Sequence, residues 1–370
     1  MMKGKVVVAG ASGVVGSAAL EAFLDDGWEV VALSRRVPEI RSARPFQHLS
    51  VDLRNSSDAS AVLGTLDGVT HLAFAALYEM PGLIEGWSDP RQMETNLALL
   101  RNCIEPLVGP AKALRHVTIM QGTKAYGVHL HAMDLPARET APRDPHANFY
   151  WLQEDYLKER AQTAGFGYTV MRPPMVVGGA IGAAMNLAPV LGVYAAICRE
   201  EGRTFGFPGG EPFVTEALDA RVLAKAFVWA AEAPQARNEI FNITNGDVFD
   251  WRSTWDGIAD ALGVEVGEDR PMSLAAYLPT HGDTWDRIVA KHGLRPISLK
   301  EMLGESHFIA DFCLLAGVTE TPWPGLMSTI KLRQAGFHEV CDTEDMFRFW
   351  LGDLIDRNLL PRLGWHLLRT

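Results

Sequence analysis

The run Gly10-Ala11-Ser12-Gly13-Val14-Val15-Gly16 joins an apolar stretch, residues 5–9, to an amphipathic one, residues 13–26. A glycine turn there can bring backbone N–H groups up to a phosphate, and the start of a helix adds partial positive charge. Gly10 would make the tight turn, Gly13 would admit a pyrophosphate, and Gly16 would let helix and strand approach closely. Ser12 and Val14 complete the expected cradle. The next apolar run ends in Leu33-Ser34-Arg35-Arg36, where dinucleotide sites that hold a ribose 2′-hydroxyl carry an acid. Two guanidiniums suit a 2′-phosphate instead, in charge and in fork geometry. The expected cofactor is therefore NADPH/NADP, with Ser34, Arg35 and Arg36 around its 2′-phosphate. Asp52 and Leu53 follow a third apolar run and are placed to contact adenine, although a lone strand-terminal Asp is more often a turn residue.

These residues need a doubly wound scaffold, and the first half of the chain has its pattern. Short β-branched runs at 5–9, 29–33, 47–51, 71–74, 115–120 and 168–171 alternate with amphipathic stretches at 13–26, 91–104 and 148–163. Brief, continuously apolar strands separated by helices predict a parallel sheet covered on both faces. The expected fold is α/β: a Rossmann domain over residues 1–180, with about 215–250 returning to it, and a smaller, mainly helical C-terminal substrate lobe over 181–370. Another strand is expected at 239–244 and a helix over 250–262 capped by Asp250. The longest apolar stretch, 183–198, is too short to cross a bilayer and predicts a buried helix.

Composition excludes other classes. A net charge of −11 with no basic run longer than Arg35-Arg36 argues against nucleic acid as a partner. Four scattered cysteines form neither a metal knuckle nor a disulfide framework. His129 and His131 lack a third ligand at convincing spacing, so no metal is expected. Nothing at the N-terminus reads as a signal peptide, and the expected location is cytoplasmic, without membrane association. A homodimer is possible.

The GxxGxxG spacing resembles that of extended short-chain dehydrogenases/reductases. Their usual machinery is a Tyr with a Lys four places later on one helix and a Ser after the fifth strand. This chain departs from both. Tyr150 in Asn148-Phe149-Tyr150 is followed four places on by Glu154, and Gln121-Gly122-Thr123-Lys124-Ala125-Tyr126-Gly127 places Gly122 where the Ser would stand. The pair of segments is similar to the progesterone 5β-reductase/iridoid synthase-like (PRISE) family, which carries its lysine in a TGxKxY-type turn and its tyrosine in an NFYxxxED segment. Residues 193–202 and 238–249, and Trp285 with His292-Gly293-Leu294, extend the likeness over nearly the whole chain to about residue 300. Gln121 replaces a Thr of many relatives, a change expected to have little consequence.

The resemblance implies an NADPH-dependent reductase of the activated C=C bond of hydrophobic α,β-unsaturated ketones or aldehydes. Tyr150 would stabilise the enolate oxygen and Lys124 would support it. A tyrosine hydroxyl aimed at an oxygen that gains negative charge is worth about 2.7–4 kcal/mol in a partly dry pocket. Tyr126 is the competing tyrosine, read as packing the strand–helix junction. Arg172-Pro173 matches a turn that meets the nicotinamide, which adds Pro173 and Val176 to the expected cofactor contacts; a plain strand-ending proline fits equally well. Trp323 and Met327 are candidate cavity-lining residues. The alternatives are a carbonyl reductase or sugar-nucleotide epimerase of the extended class, or a non-catalytic NADP-sensing protein.

Overall fold

The computed structural model describes residues 3–320 and 322–364. The chain forms two compact units. The first comprises the chain up to Pro174, Ala220–Thr244 and Gly325–Val340; the second comprises Met175–Asp219, Asn245–Pro324 and the chain from Cys341 onward. Segment Gly325–Val340 thus belongs to the nucleotide-type unit, although the sequence pattern groups it with the C-terminal lobe.

The first unit starts β1 (Lys5–Ala9), α1 (Val14–Asp25), β2 (Glu29–Leu33), β3 (Gln47–Leu49), α2 (Ser56–Leu63) and β4 (Val69–Phe74). It continues through α3 (Pro90–Ile104), β5 (His116–Met120), α4 (Phe149–Ala164) and β6 (Gly167–Arg172). The chain next forms β7 (Met175–Val177), α5 (Leu187–Glu200), β8 (Val214–Thr215) and β9 (Ala217–Asp219) in the second unit. It returns with α6 (Ala220–Glu232) and β10 (Glu239–Asn242), before β11 (Phe249–Asp250) and α7 (Trp251–Leu262).

The seven-stranded sheet has the order β10-β6-β5-β4-β1-β2-β3, and every pairing in it is parallel. This is the doubly wound Rossmann arrangement. Strand order reverses between β1 and β4, so a crevice opens at their carboxyl ends. The strands have apolar residues on both faces because both are covered: Val6, Val7 and Val8 of β1 are all fully buried. On one face Val7, Val31, Leu72 and Val117 pack with Leu99, Leu100 and Cys103 of α3 and Leu157 of α4. On the other, α1 and α6 pack against each other and the sheet.

In the second unit, residues 187–198 of α5 are buried throughout, as their continuous apolarity predicts. Phe205 stacks on Trp255 of α7 with ring centroids 4.3 Å apart. Asp250 caps α7, accepting from the backbone N–H groups of Arg252 and Ser253. Helices dominate beyond residue 271, the longest being Gly282–His292, Ser306–Leu314 and Thr343–Asp356.

Some expectations change. β3 stops at Leu49, not 51, because the Asp52 carbonyl accepts from Asn55 N–H and turns the chain towards α2. Helix α2 escapes a periodicity reading because it buries only Ala59 and Leu63 and is set by the Asn55 cap. Trp323 is 66% exposed, and Met327 packs with Tyr126 and Ala137. Among the described residues no helix is long and apolar enough to cross a membrane.

Candidate active site

The glycine turn lies between β1 and α1 at the reversal point. Gly10 has φ +78°, a left-handed conformation in which a side chain would be strained, and its N–H and that of Ala11 both donate to Leu33 O. A Cβ on Gly16 would meet Gly10 O at 2.1 Å, so helix and turn touch there as close packing requires. Gly13 is the N-cap of α1 and no side chain caps the helix, which leaves its first-turn N–H groups for an anion. Ser34 donates to Arg36 O at 2.6 Å and lies 3.2 Å from His48 Nε2, shaping the loop that presents Arg35 and Arg36 to solvent. Neither arginine has an ion-pair partner among the described residues. These features fit a dinucleotide. Asp52 also grips Arg54, whose Nε and Nη2 donate to it at 3.0 and 2.6 Å, and this holds the carboxyl at about 2. Leu53 beside it is buried. Val176 belongs to the second unit, on β7.

The second cluster is built by β5, β6 and α4. After β5 the chain makes a tight turn, Thr123–Tyr126, closed by Gly127 at φ +71°. Tyr150 is in the first turn of α4, where the Asn148 cap accepts from its N–H at 3.0 Å. The two elements bring Lys124 and Tyr150 together: the ammonium lies 5.9 Å from the Tyr150 ring centroid and 3.8 Å from that of Trp87. Burial lowers Lys124 to about 8, with the attraction of Glu79 acting the other way. Burial raises the Tyr150 phenol above its ordinary value; Glu79 adds to the rise and Arg172 opposes it. The phenol is therefore a proton-bearing donor across the working pH range.

Gly122, in the place of the usual serine, has a specific consequence. A Cβ there would come within 3.0 Å of the Tyr150 hydroxyl and 3.5 Å of Pro173 O. A side chain there would crowd the phenol. Tyr126 takes the packing role: its hydroxyl donates to Asn242 at 2.6 Å and accepts from Arg172 at 3.2 Å.

Glu154, in place of the usual lysine, is buried in a charged network. Its Oε2 accepts from Gln121 at 2.8 Å and faces Arg172 at 3.5 Å; its Oε1 accepts from Arg143 at 2.8 Å and Lys158 at 2.6 Å. Burial alone would raise its pKa, but the hydrogen bonds from Arg143, Lys158 and Gln121 outweigh it and hold the carboxyl at about 2. The Arg172 side chain is committed here, donating also to Gln121 at 2.7 Å. Gln121 is thus not a neutral replacement. Its amide joins Glu154, Arg172 and the Tyr150 carbonyl, roles a Thr is too short to span.

Sequence reasoning missed Glu79 and Trp87, which follow β4. Burial raises Glu79 to about 7, partly opposed by Lys124. A carboxylate inside the apolar run that ends a central strand, at the carboxyl edge of the sheet, was the available signal. Among the described residues no group of three ligands could hold a metal; His131 and His146 each lie 2.7 Å from Asp144. A cavity of about 570 Å³ lined by Trp28, Arg44 and Phe46 lies at the start of β2 and β3, at the end of the strands away from these groups. It has no chemistry-bearing cluster, and the convergent polar groups define the candidate site.

The sheet is that of a Rossmann fold, and the lysine beside Tyr150 comes from a turn and not from the tyrosine's helix. The chain belongs to the PRISE-like Rossmann-fold domain family, whose model matches residues 51–308. It is 32% identical to (S)-8-oxocitronellyl enol synthase ISY1 of Nepeta cataria over 373 residues, covering 96% of this chain and 92% of that protein. It is 30% identical to the (S)-8-oxocitronellyl enol synthase of Catharanthus roseus, covering 81% and 80%. Among solved structures, the fold is similar to UDP-glucose 4-epimerase from Bifidobacterium longum in complex with NAD+ and UDP, at TM-score 0.65 and 14% identity, covering 96% and 99%. The enzyme WbmH of Bordetella bronchiseptica, in complex with NAD+, gives TM-score 0.64 at 15% identity, covering 96% and 99%. The family match and the enol synthase relatives support an oxidoreductase, while the solved structures show the fold.

Proposed function

We propose that this protein is an NADPH-dependent reductase of the activated C=C bond of α,β-unsaturated ketones or aldehydes. The observation that carries the reading is the Tyr150 hydroxyl set against Gly122, where a Cβ would crowd it at 3.0 Å, with the Lys124 ammonium beside its ring. The glycine turn, the uncapped start of α1 and the exposed Arg35 and Arg36 would hold the cofactor, with Ser34, Asp52 and Leu53 at its adenosine end. Bound there, NADPH would supply a hydride. As hydride joins the β-carbon of an enone, the C=C electron pair shifts and negative charge collects on the carbonyl oxygen. The Tyr150 O–H donates a hydrogen bond to that oxygen, and the nearby ammonium adds a favourable field. A donor of this kind contributes about 2.7–4 kcal/mol, or 10² to 10³ in rate. The named relatives are enol synthases, and an enol is an enolate plus a proton, which supports charge stabilisation at oxygen as the shared step.

The test is purified protein with NADPH and matched substrates, a cyclic enone and its saturated ketone. Reduced cofactor should be consumed with the enone only, and Tyr150→Phe should slow that turnover by about 10² to 10³. Oxidation of NADPH by the saturated ketone would point to carbonyl reduction, and binding without turnover over a broad enone panel would point to a sensor.

A further inference from the structure

Glu79 lies between the end of β4 and α3, on a segment held rigid by two fully buried amides. Asn96 accepts from Tyr78 N–H at 2.9 Å and donates to Tyr78 O at 2.8 Å, while Gln92 Oε1 accepts from Met80 N–H at 2.7 Å. That bond fixes the Gln92 amide so that its NH₂ faces Glu79, to which it donates at 2.5 Å. A Cβ on Gly86 would meet Gln92 Oε1 at 2.3 Å, so the amide is also confined from behind. One carboxylate oxygen of Glu79 is thus satisfied. The other, Oε1, is buried and has no hydrogen-bond partner.

An unsatisfied buried carboxylate oxygen costs stability, so its retention calls for a compensating role. Lys124 forms no direct ion pair among the described residues and rests on the face of Trp87, from the turn that follows Glu79. We propose that Glu79 is a positioning residue that acts through Lys124, supplying the counter-charge that keeps the ammonium protonated in its desolvated place beside Tyr150. The inference rests on the functional reading above for the role of Lys124; Glu79 and Lys124 share one neighbourhood because Gln92, which holds Glu79, abuts Gly86, next to the Trp87 ring under the ammonium. The titratable and charged groups around the pair are Tyr150 from α4, which Glu79 also influences, His129 from the loop after Gly127, and Arg172 from β6. His129 is held neutral to about 4, mainly by burial, so it adds no competing charge at neutral pH. Arg172 is committed to Glu154 and Gln121.

The sign follows from the directions of the two shifts. Burial pulls Lys124 down to about 8 and the attraction of Glu79 works against that fall. Without the carboxylate charge the ammonium should lose its proton at lower pH. The experiment reads Lys124 directly, with no cofactor or substrate: the rate at which an amine-acylating reagent modifies Lys124, followed by peptide mass spectrometry as a function of pH. The wild-type midpoint is expected at about 8. In Glu79→Gln, which keeps the shape and a partner for Gln92, it should move clearly lower; in Glu79→Asp, which keeps the charge, it should stay near wild type. An unchanged midpoint in Glu79→Gln would overturn the proposal. So would an equal shift in both variants, which would mark a packing effect. Failure of wild-type protein to reduce any enone would refute the functional reading and leave this titration standing.

Discussion

Gly122 offers the sharpest test of the proposed site, because the perturbation is one carbon whose position is known. Its backbone is extended, with φ −177° and ψ −175°, so alanine adopts it without strain. The added Cβ would stand 3.0 Å from the Tyr150 hydroxyl oxygen, tighter than ordinary contact, so the hydroxyl must yield by a few tenths of an ångström. Tyr150 has little room to do so: the residue is 8% exposed, its N–H is tied to Asn148, and Phe149 abuts it edge-on with centroids 4.6 Å apart. Complete loss of such a donor costs about 10² to 10³ in kcat, and a misplacement of about 1 Å can cost about 10². A displacement of a few tenths of an ångström should therefore lower kcat about tenfold. Thermal stability should stay within about 1 kcal/mol of wild type, since no buried bond is lost. Steady-state kcat and KM on an enone, with NADPH affinity measured separately, give the readout for Gly122→Ala, Tyr150→Phe and the double variant. The phenylalanine has no hydroxyl to displace, so alanine at 122 should add less than about 0.5 kcal/mol to the loss in that background. Equal losses in both backgrounds, or a loss confined to NADPH binding, would refute the argument that Gly122 exists to seat the phenol.

Two further outcomes are expected. Replacing Arg35 and Arg36 together with alanine should weaken NADPH by about tenfold or more, since hydrogen bonds to charged groups contribute about 1.5–3 kcal/mol, and leave NADH nearly unchanged in a binding titration; equal loss of both cofactors would remove the 2′-phosphate assignment. Glu154→Gln should cost about 3–5 kcal/mol in urea unfolding, because Arg172 and its neighbours lose their buried counter-charge. The folded carboxyl is held at about 2, below its ordinary 4.5, so its contribution is complete above about 4.5 and is lost as pH falls towards 2. The difference between wild type and variant should close over that window, and a variant as stable as wild type at neutral pH would show the network to be energetically neutral.

How much was legible in the residues depended on how local each feature is. The glycine turn could be read because its seven residues are contiguous and its function is a backbone conformation, which Gly10 at φ +78° displays. The same holds for the strands of the parallel sheet, whose unbroken apolarity reflects cover on both faces, and for the Asp250 cap, which bonds two and three residues on. The Lys124–Tyr150 pair was reachable only through resemblance, since no spacing rule links a turn after β5 to the start of α4. Gln121 was misjudged for a related reason. Its side chain matters because three partners from β6 and α4 surround it, and none is near it in the chain.

The residue order thus determined which backbone segments could become strand, helix and phosphate-binding turn, because those preferences act over a few residues. Tertiary structure decided what the charges do. Glu79 and Glu154 are the same side chain, yet the fold gives one a buried oxygen with no partner and holds it at about 7, and surrounds the other with cations and holds it at about 2. A carboxylate's protonation depends on the water it loses and the charges it gains on burial, and both are set by neighbours that only the folded chain assembles.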